Sequence, residues 1–393
     1  MRDRTVRLAA AAVALFFLAT KSVLLADSIE LQGDDQTLQY SGKILEEKYS
    51  AIKFQLDTAP PGTDPIKLIP VASPKDPKKK LITKLEHRPL PTIYGEGESK
   101  FRARQYAEAY ERYTTSYANE KKDYPWVGAW CCYQAGEAAF REAKYNREEE
   151  QDKQQWYAKA AEQYGKVIAE AADHYLMPDG KVGLAMCQMR LSQYAQAGQG
   201  LAAVIKSDYP YWVKQEARVT SGRVKVEEAG SLKGEAARAK YDEAIAELEA
   251  VKKELMDFTP DLAYQAMIGE AYAYQGKGDL DKAENVFEVV GLQAPDDELR
   301  AEALNSRGLS LRKRGQPREA LFSFLRVVLL HFDIPSEHQK ALYNAAYAAK
   351  EYYKEDKEMK RALELAGTLK TRYPNGYWTK RLIREWNIKT GGE

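Results

Sequence analysis

Two stretches of the chain decide the fold: YQAMIGEAYAYQGKGDLDKAENVFEVVGLQAPDD, residues 264–297, and AEALNSRGLSLRKRGQPREALFSFLRVVLLHFDI, residues 301–334. At positions 8, 20 and 24 the first stretch has Ala271, Ala283 and Phe287, and the second has Gly308, Ala320 and Phe324. Apolar residues recur in both at the spacing of an amphipathic helix, interrupted by a glycine-containing turn. Each stretch therefore predicts two helices joined by a short turn.

The two stretches resemble the tetratricopeptide repeat (TPR), a 34-residue unit of two antiparallel helices that stacks into an α-solenoid. In the second stretch, Gly308 on the first helix and Ala320 on the second are small where the helices cross, so the two backbones can approach. Gly315 is suited to the end of the first helix, and Pro317 to the first turn of the second helix. Local signals and repeat spacing thus agree.

The small residue of the second helix can be followed along the chain. It is found at Ala109, Ala160, Ala197, Ala244, Ala283, Ala320 and Ala362. We therefore predict about seven irregular helical pairs in a TPR-like α-solenoid at residues 97–388, followed by a C-terminal tail at 389–393. Surplus residues fall in segments such as 146–155 and 230–234, where longer helices or protruding loops are expected.

Residues 27–90 have the alternating period of β-strands. The apolar positions are Ile29 and Leu31, then Leu38, Tyr40 and Ile44, then Ile52, Phe54 and Leu56, then Ile66 and Leu68, and finally Leu81 to Leu85. Together with intervening turn signals, they predict about five short antiparallel strands, with Gly42 allowing the second strand to bend. The layout resembles the small SH3-like or Sm-like β modules at the front of some exported bacterial repeat proteins. The predicted fold class is therefore mostly α: a TPR-type solenoid preceded by a small antiparallel β-barrel-like module, with a linker at 91–96.

The first 26 residues have the order of a secretory signal peptide. Arg2, Arg4 and Arg7 precede an apolar run from Leu8 to Ala19, which is shorter than the roughly 20 residues of a spanning helix. Cleavage after Ala26 would release a periplasmic or cell-envelope protein. The alternative is an uncleaved signal that anchors the chain in the membrane.

Composition excludes some classes of partner and scaffold. The chain has 393 residues with 59 Lys and Arg against 58 Asp and Glu, a net charge of +1 that gives no general attraction for nucleic acid. Its three cysteines are too few for a disulfide-built scaffold, and Cys131 and Cys132 are adjacent. We expect buried free thiols, with a Cys132–Cys187 disulfide as the less favoured alternative.

The sequence contains none of the motifs that mark common catalytic, cofactor or metal sites. The four histidines are not at metal-binding spacings, and there is no H-E-x-x-H, no G-x-S-x-G and no phosphate-binding loop. We therefore predict no catalytic, cofactor-binding or metal-binding residues, no cofactor, and a protein that is not an enzyme. A hydrolase with an unrecognised carboxylate site is the least favoured hypothesis.

The TPR resemblance implies that the first helices of successive pairs line a concave groove that binds a protein or peptide. Repeat positions 2, 5, 9 and 12 would face it, and they supply the candidate partner-binding residues Gln265, Tyr272, Gln275, Asn305, Arg312, Asn344 and Tyr347. The leading hypothesis is an exported, non-enzymatic scaffold or adaptor that binds protein or peptide partners in the cell envelope. The 26 tyrosines suggest an alternative, an envelope glycan-binding protein that uses aromatic rings in the groove.

Overall fold

The computed structural model describes residues 26–32, 37–59, 63–73, 76, 78–353 and 356–386. Apart from Ala26, the predicted signal peptide at 1–26 lies outside the described residues, as does the predicted tail at 389–393. The chain divides into two compact units. The N-terminal unit comprises Met1–Arg141, Ala158–Cys187 and Ala203–Lys214, and the C-terminal unit comprises Glu142–Tyr157, Gln188–Ala202 and Gln215–Glu393.

The N-terminal unit begins with the predicted five strands. They are β1 (Asp27–Gln32), β2 (Thr37–Glu47), β3 (Ala51–Leu56), β4 (Ile66–Pro70) and β5 (Ile82–Glu86). They form one sheet in the order β4-β3-β2-β1-β5, in which the pairs of neighbours are antiparallel. Alternate residues point to a core that contains Ile29, Ile52, Phe54 and Ile82, so the period-two interpretation of this region is confirmed.

The sheet curls so that its two edges meet. The N–H of Leu81, just before β5, donates to the carbonyl of Val71, just after β4, at 2.8 Å. The bend of β2 depends on Gly42, because a Cβ there would lie 2.0 Å from the carbonyl oxygen of Gln55. A bulge between Ile44 and Glu46 adds to the curvature of this strand.

The rest of the described chain is helical. Its fifteen α-helices are α1 (Thr92–Arg102), α2 (Tyr106–Glu120), α3 (Val127–Arg141), α4 (Glu150–Glu170), α5 (Met177–Arg190), α6 (Tyr194–Lys206), α7 (Tyr211–Ser231), α8 (Gly234–Leu255), α9 (Pro260–Lys277), α10 (Leu280–Gln293), α11 (Asp297–Lys313), α12 (Pro317–Leu330), α13 (Pro335–Tyr352), α14 (Asp356–Arg372) and α15 (Tyr377–Trp386). They form seven consecutive pairs, α1–α2 to α13–α14, followed by α15. The fold class is thus confirmed as a TPR-like solenoid preceded by a small antiparallel sheet. The predicted linker needs correction, since α1 begins at Thr92 and most of 91–96 is helical.

Each pair carries the predicted small residue on its second helix. All seven alanines, from Ala109 to Ala362, have no exposed surface, and they fall one each on α2, α4, α6, α8, α10, α12 and α14. Four residues later stands a large side chain in the first six pairs: Tyr113, Tyr164, Leu201, Leu248, Phe287 and Phe324. Each of these six is less than 2% exposed. In these six pairs the repeat therefore consists of an alanine and a large buried residue one helical turn apart.

The large residue packs against a small one on the first helix. A Cβ added to Gly308 would lie 2.5 Å from Cε1 of Phe324, and one added to Gly97 would lie 2.8 Å from Cε1 of Tyr113. Such distances are far inside van der Waals contact, so glycine is required for this packing.

Both segments expected to hold surplus residues adjoin long helices. Around 230–234 the surplus lengthens the helices, since α7 has 21 residues and α8 has 22. Around 146–155 a short π-helix, Glu142–Asn146, precedes α4. α4 begins within this second segment and has 21 residues, so the expectation of longer helices is met here as well.

The three cysteines are free and buried, as predicted. Within the described residues, no helix combines the length and apolar character needed to cross a membrane.

Candidate functional site

The candidate site lies on the first helices of the C-terminal unit. We call the surface formed by α7, α9, α11, α13 and α15 the first-helix face. It carries all seven of the predicted partner-binding residues, on α9, α11 and α13. Their side chains have different degrees of exposure, because each is held by a different neighbour.

Tyr272 and Gln275 on α9 are fixed by residues of α11. The hydroxyl of Tyr272 donates to Oε1 of Glu302 at 2.9 Å and lies 2.9 Å from Oγ of Ser306. Burial, followed by the nearby Glu302 charge, raises the pKa of Tyr272 well above its usual value. Nε2 of Gln275 donates to Oγ of Ser310 at 2.7 Å. Gln265, earlier on α9, is half-buried.

Asn305 and Asn344 are buried on the first-helix face. Asn305 has no exposed surface, and its Nδ2 donates to the carbonyl oxygen of Glu337 at 3.0 Å and to Oε2 of Glu337 at 2.7 Å. Asn344 is 4% exposed and donates to the carbonyl of Lys340 at 2.9 Å. Asn305 is thus bonded to α13 and Asn344 to the backbone of its own helix, and neither is exposed for the predicted contact with a partner.

Arg312 and Tyr347 are half-buried and in contact with each other. The guanidinium of Arg312 lies 5.5 Å from the centre of the Tyr347 ring and forms an ion pair with Glu351. The hydroxyl of Tyr347 donates to Oε2 of Glu385 at 2.5 Å, and Tyr343 donates to the same oxygen. Burial by itself would raise the pKa of Glu385, but these hydrogen bonds and the Arg381 guanidinium lower it to about 2.

Charged residues that the sequence analysis did not select occupy the centre of the first-helix face. Glu302 is about one-fifth exposed, and burial alone would raise its pKa. The cations Lys144, Arg223 and Lys340 and the Tyr272 hydroxyl instead lower it to about 2. Glu302 occupies repeat position 2, which is one of the positions expected to face the groove. No local pattern indicates that three cations from distant segments surround it.

A cavity of about 340 Å³ opens beside this network. Arg190, Arg223, Tyr272, Gln275 and Glu302 are among its lining residues. Nη1 of Arg190 donates to Oε1 of Glu227 at 2.9 Å, whereas its buried Nε has no hydrogen-bond partner among the described residues. The cavity therefore offers guanidinium donors and a carboxylate within one site. Such a surface suits a ligand that carries charges of both signs.

The N-terminal unit contains a second concave region, of about 1370 Å³, with a buried polar cluster in its wall. Oε1 of Glu47 lies 2.7 Å from Nε2 of His87, and Oε2 lies 3.6 Å from Nε2 of His174 and accepts a hydrogen bond from Trp130 Nε1 at 2.8 Å. Burial tends to raise the pKa of Glu47, but the two imidazoles and the indole outweigh it and lower the pKa. The His87 ring also stacks on Trp126, with centroids 4.0 Å apart.

The chemistry of this second region does not indicate a nucleophilic site. Cys132 lines it, but burial raises the pKa of that thiol to about 12, so the reactive thiolate is scarce at neutral pH. Among the described residues, no three His, Cys, Asp or Glu side chains are placed to hold a metal ion. The Glu47 cluster instead connects β2 and the end of the sheet to α3.

Comparison with known proteins finds similarity only to solved structures. No protein-family model matches the chain, and no curated protein matches it. A tetratricopeptide repeat protein from Parabacteroides merdae aligns at 13% identity over 74% of this chain and 96% of its own length, with a TM-score of 0.45. NprR in complex with its cognate peptide NprX aligns at 15% identity over 75% of this chain and 86% of its own, with a TM-score of 0.47. The description of the fold therefore rests on the helical pairs themselves.

Proposed function

We propose that this protein is a non-enzymatic scaffold that binds a protein or peptide partner on the first-helix face of its C-terminal unit. The observation that supports this proposal is the charge arrangement around Glu302, where Arg223 and Lys340 of the same face lie close to one partly exposed carboxylate. A peptide offers charges of both signs at regular spacing, which complement such a surface better than a neutral small molecule does. Tyr272 and Gln275 border the same cavity and add polar contacts.

The cell envelope is proposed as the place where the scaffold acts. The support comes from the sequence alone, in the order of basic residues and apolar run at residues 2–19. The glycan-binding alternative has less support, because the hydroxyls of Tyr272 and Tyr347 are already bound to Glu302 and Glu385. It stays a hypothesis.

The proposal is tested by affinity capture with the full chain and two charge variants. Arg223→Glu reverses one cation beside Glu302, whereas Arg238→Glu makes the same charge change at an exposed position of α8. We expect the wild type and Arg238→Glu to retain the same specific protein partner from an envelope extract, and Arg223→Glu to lose at least 90% of it. Circular dichroism verifies that both variants are folded.

Equal capture by Arg223→Glu would contradict binding at this face. If no protein is captured and the chain sediments with purified cell-wall polymer, the glycan alternative replaces the proposal.

A further inference from the structure

The segment between α3 and α4 belongs to the C-terminal unit although its neighbours in sequence on either side do not. It consists of the π-helix Glu142–Asn146, residues 147–149 and the start of α4. The Glu142 carboxylate, 3% exposed, accepts hydrogen bonds from Asn146 Nδ2 at 2.6 Å and Arg147 Nε at 2.8 Å. These bonds fix the local turn. We call residues 142–153 the resident segment.

The first contact of the resident segment is made with α11. Nζ of Lys144 lies 3.6 Å from Oε2 of Glu302, and the two side chains are 33% and 19% exposed. Lys144 lowers the pKa of Glu302 more than Arg223 or Lys340 does. The segment therefore supplies a charge to the centre of the first-helix face.

The second contact is made with α13 and α15. Nε1 of Trp378 donates to Oε1 of Glu148 at 3.2 Å, and the Lys340 ammonium is close enough to lower the pKa of Glu148. The two contacts join residues 230 positions apart in the sequence, Glu148 and Trp378, and 158 apart, Lys144 and Glu302. The resident segment thus contacts α11 and α15, and its Glu148 lies within the electrostatic influence of Lys340 on α13.

The charge of the Glu148 carboxylate is only partly compensated by its neighbours. Burial raises its pKa, and the cations Lys153 and Lys340 and the Trp378 indole lower it without restoring the ordinary value. The carboxylate is therefore desolvated at a net cost. Its ion pair with Lys153, at 3.6 Å, lies within the resident segment itself, so the pair is retained if the segment leaves the face.

We propose that the resident segment is an internal ligand of the first-helix face, and that the partner is a peptide with a basic and an acidic residue four positions apart, as Lys144 and Glu148 are. This inference rests on the proposed function, because it names the class of partner that the same face binds. Because the resident segment is covalently tethered, it competes at an effective concentration in the millimolar range. The partner must displace it, so the apparent affinity of the wild type is lowered by the fraction of molecules in which the face is free.

The probe is a fluorescein-labelled synthetic peptide with the sequence of residues 142–153, EAKYNREEEQDK. Its binding to the full chain is followed by fluorescence anisotropy. In the variant Glu148→Lys the tethered segment places an ammonium beside Lys340, while the face itself is unchanged. We expect this variant to bind the peptide at least tenfold more tightly than the wild type does.

Two controls accompany the measurement. Glu149→Lys makes the same charge change at the next residue, which is exposed, and should bind the peptide as the wild type does. The second control is a peptide in which lysine replaces the glutamate that corresponds to Glu148. We expect it to bind neither the wild type nor the variants. If circular dichroism shows that Glu148→Lys is not folded, the variant Lys144→Glu is used instead. It disrupts the contact with Glu302, and we again expect it to bind the peptide at least tenfold more tightly than the wild type does.

Equal affinity of wild type, Glu149→Lys and the released variant would overturn the inference, as would the absence of binding to a folded released variant. Neither result affects the capture experiment with Arg223→Glu, so failure of this inference is distinguishable from failure of the proposed function. Tighter binding by Glu149→Lys than by the wild type would also overturn it, because charge reversal alone would then explain the gain.

Discussion

At the scale of single residues, the helix pairs depend on an alanine and a large side chain placed one turn apart. Phe324 fits against α11 only because Gly308 has no Cβ, and Ala320 has no exposed surface at the same crossing. In the first pairs the large residue is a tyrosine, and its hydroxyl reaches a glutamate beside the facing glycine. Tyr113 donates to Glu98 at 2.8 Å, and Tyr164 donates in the same way to Glu137.

A first prediction concerns this crossing. Ala320→Leu adds three heavy atoms between α11 and α12 and should lower the free energy of unfolding by about 1–3 kcal/mol, because the close-packed helices must shift. Leu329→Ala, on the same helix but 70% exposed, should change it by less than about 0.5 kcal/mol. Urea unfolding followed by circular dichroism measures both. An unchanged midpoint for Ala320→Leu would show that the crossing tolerates extra volume.

The alanines could be predicted from the sequence, but most of their large partners could not. The alanine is the same residue type in seven pairs, so its spacing is visible. At the position four residues later, tyrosine, leucine and phenylalanine are interchangeable because side-chain volume, not residue type, is what fills the crossing. Asn305 and Asn344 were predicted to contact a partner because their repeat positions face the groove. Repeat position does not give the distance to the next helix, and that distance determines whether a side chain is buried.

At the scale of elements, Glu47 connects the sheet to the helices of the N-terminal unit. It ends β2, and its carboxylate lies between His87, His174 and the Trp130 indole of α3. A backbone hydrogen bond joins the same two regions. The N–H of Tyr49, just after β2, donates to the carbonyl of Asp173, which precedes α5, at 3.1 Å. The sequence could not indicate this connection, since it joins residues that share no periodic pattern.

A prediction on pH follows from this connection. The pKa of folded Glu47 is below its ordinary value of 4.5, so its stabilisation is present above that pH and is lost as the pH falls through the folded value. Burial lowers the pKa of His174 below its ordinary value of 6.5. The unfolded chain is therefore protonated at this histidine before the folded protein is, and stability is lost as the pH falls below 6.5. Asp179 acts in the opposite direction, because burial raises its pKa to about 6.

Glu47→Gln isolates the carboxylate from these opposing groups. We expect the variant to be about 1–3 kcal/mol less stable than the wild type at pH 7 and to differ less from it as the pH falls below 4.5, where the unfolded chain takes up a proton before folded Glu47 does. Urea midpoints from tryptophan fluorescence, measured from pH 4 to 7, test this. Glu46→Gln, half-exposed on the same strand, is the matched control and should follow the wild type. A difference that is the same at pH 4 and 7 would contradict the assignment.

At the scale of the whole molecule, sequence spacing predicted the fold class better than the site. Each helical pair is local in sequence, so its small residues and turns carry the signal for it. The charges around Glu302 come from segments up to 158 positions away, and Glu148 meets Trp378 across 230 positions. Contacts of this kind depend on how pairs stack, and irregular repeats of 37 to 51 residues do not fix that stacking in advance.

A last prediction concerns export, where the proposed cleavage after Ala26 can be compared with the start of the sheet. Asp27 is the first residue of β1, and its carboxylate accepts the N–H of Ile44 at 2.8 Å and of Arg88 at 2.7 Å. Cleavage at this bond would leave these contacts intact. We expect the expressed chain to be recovered from the periplasmic fraction with Asp27 as its first residue by N-terminal sequencing. Recovery of the intact chain in the membrane fraction would favour the uncleaved anchor, and recovery in the cytoplasm would contradict export.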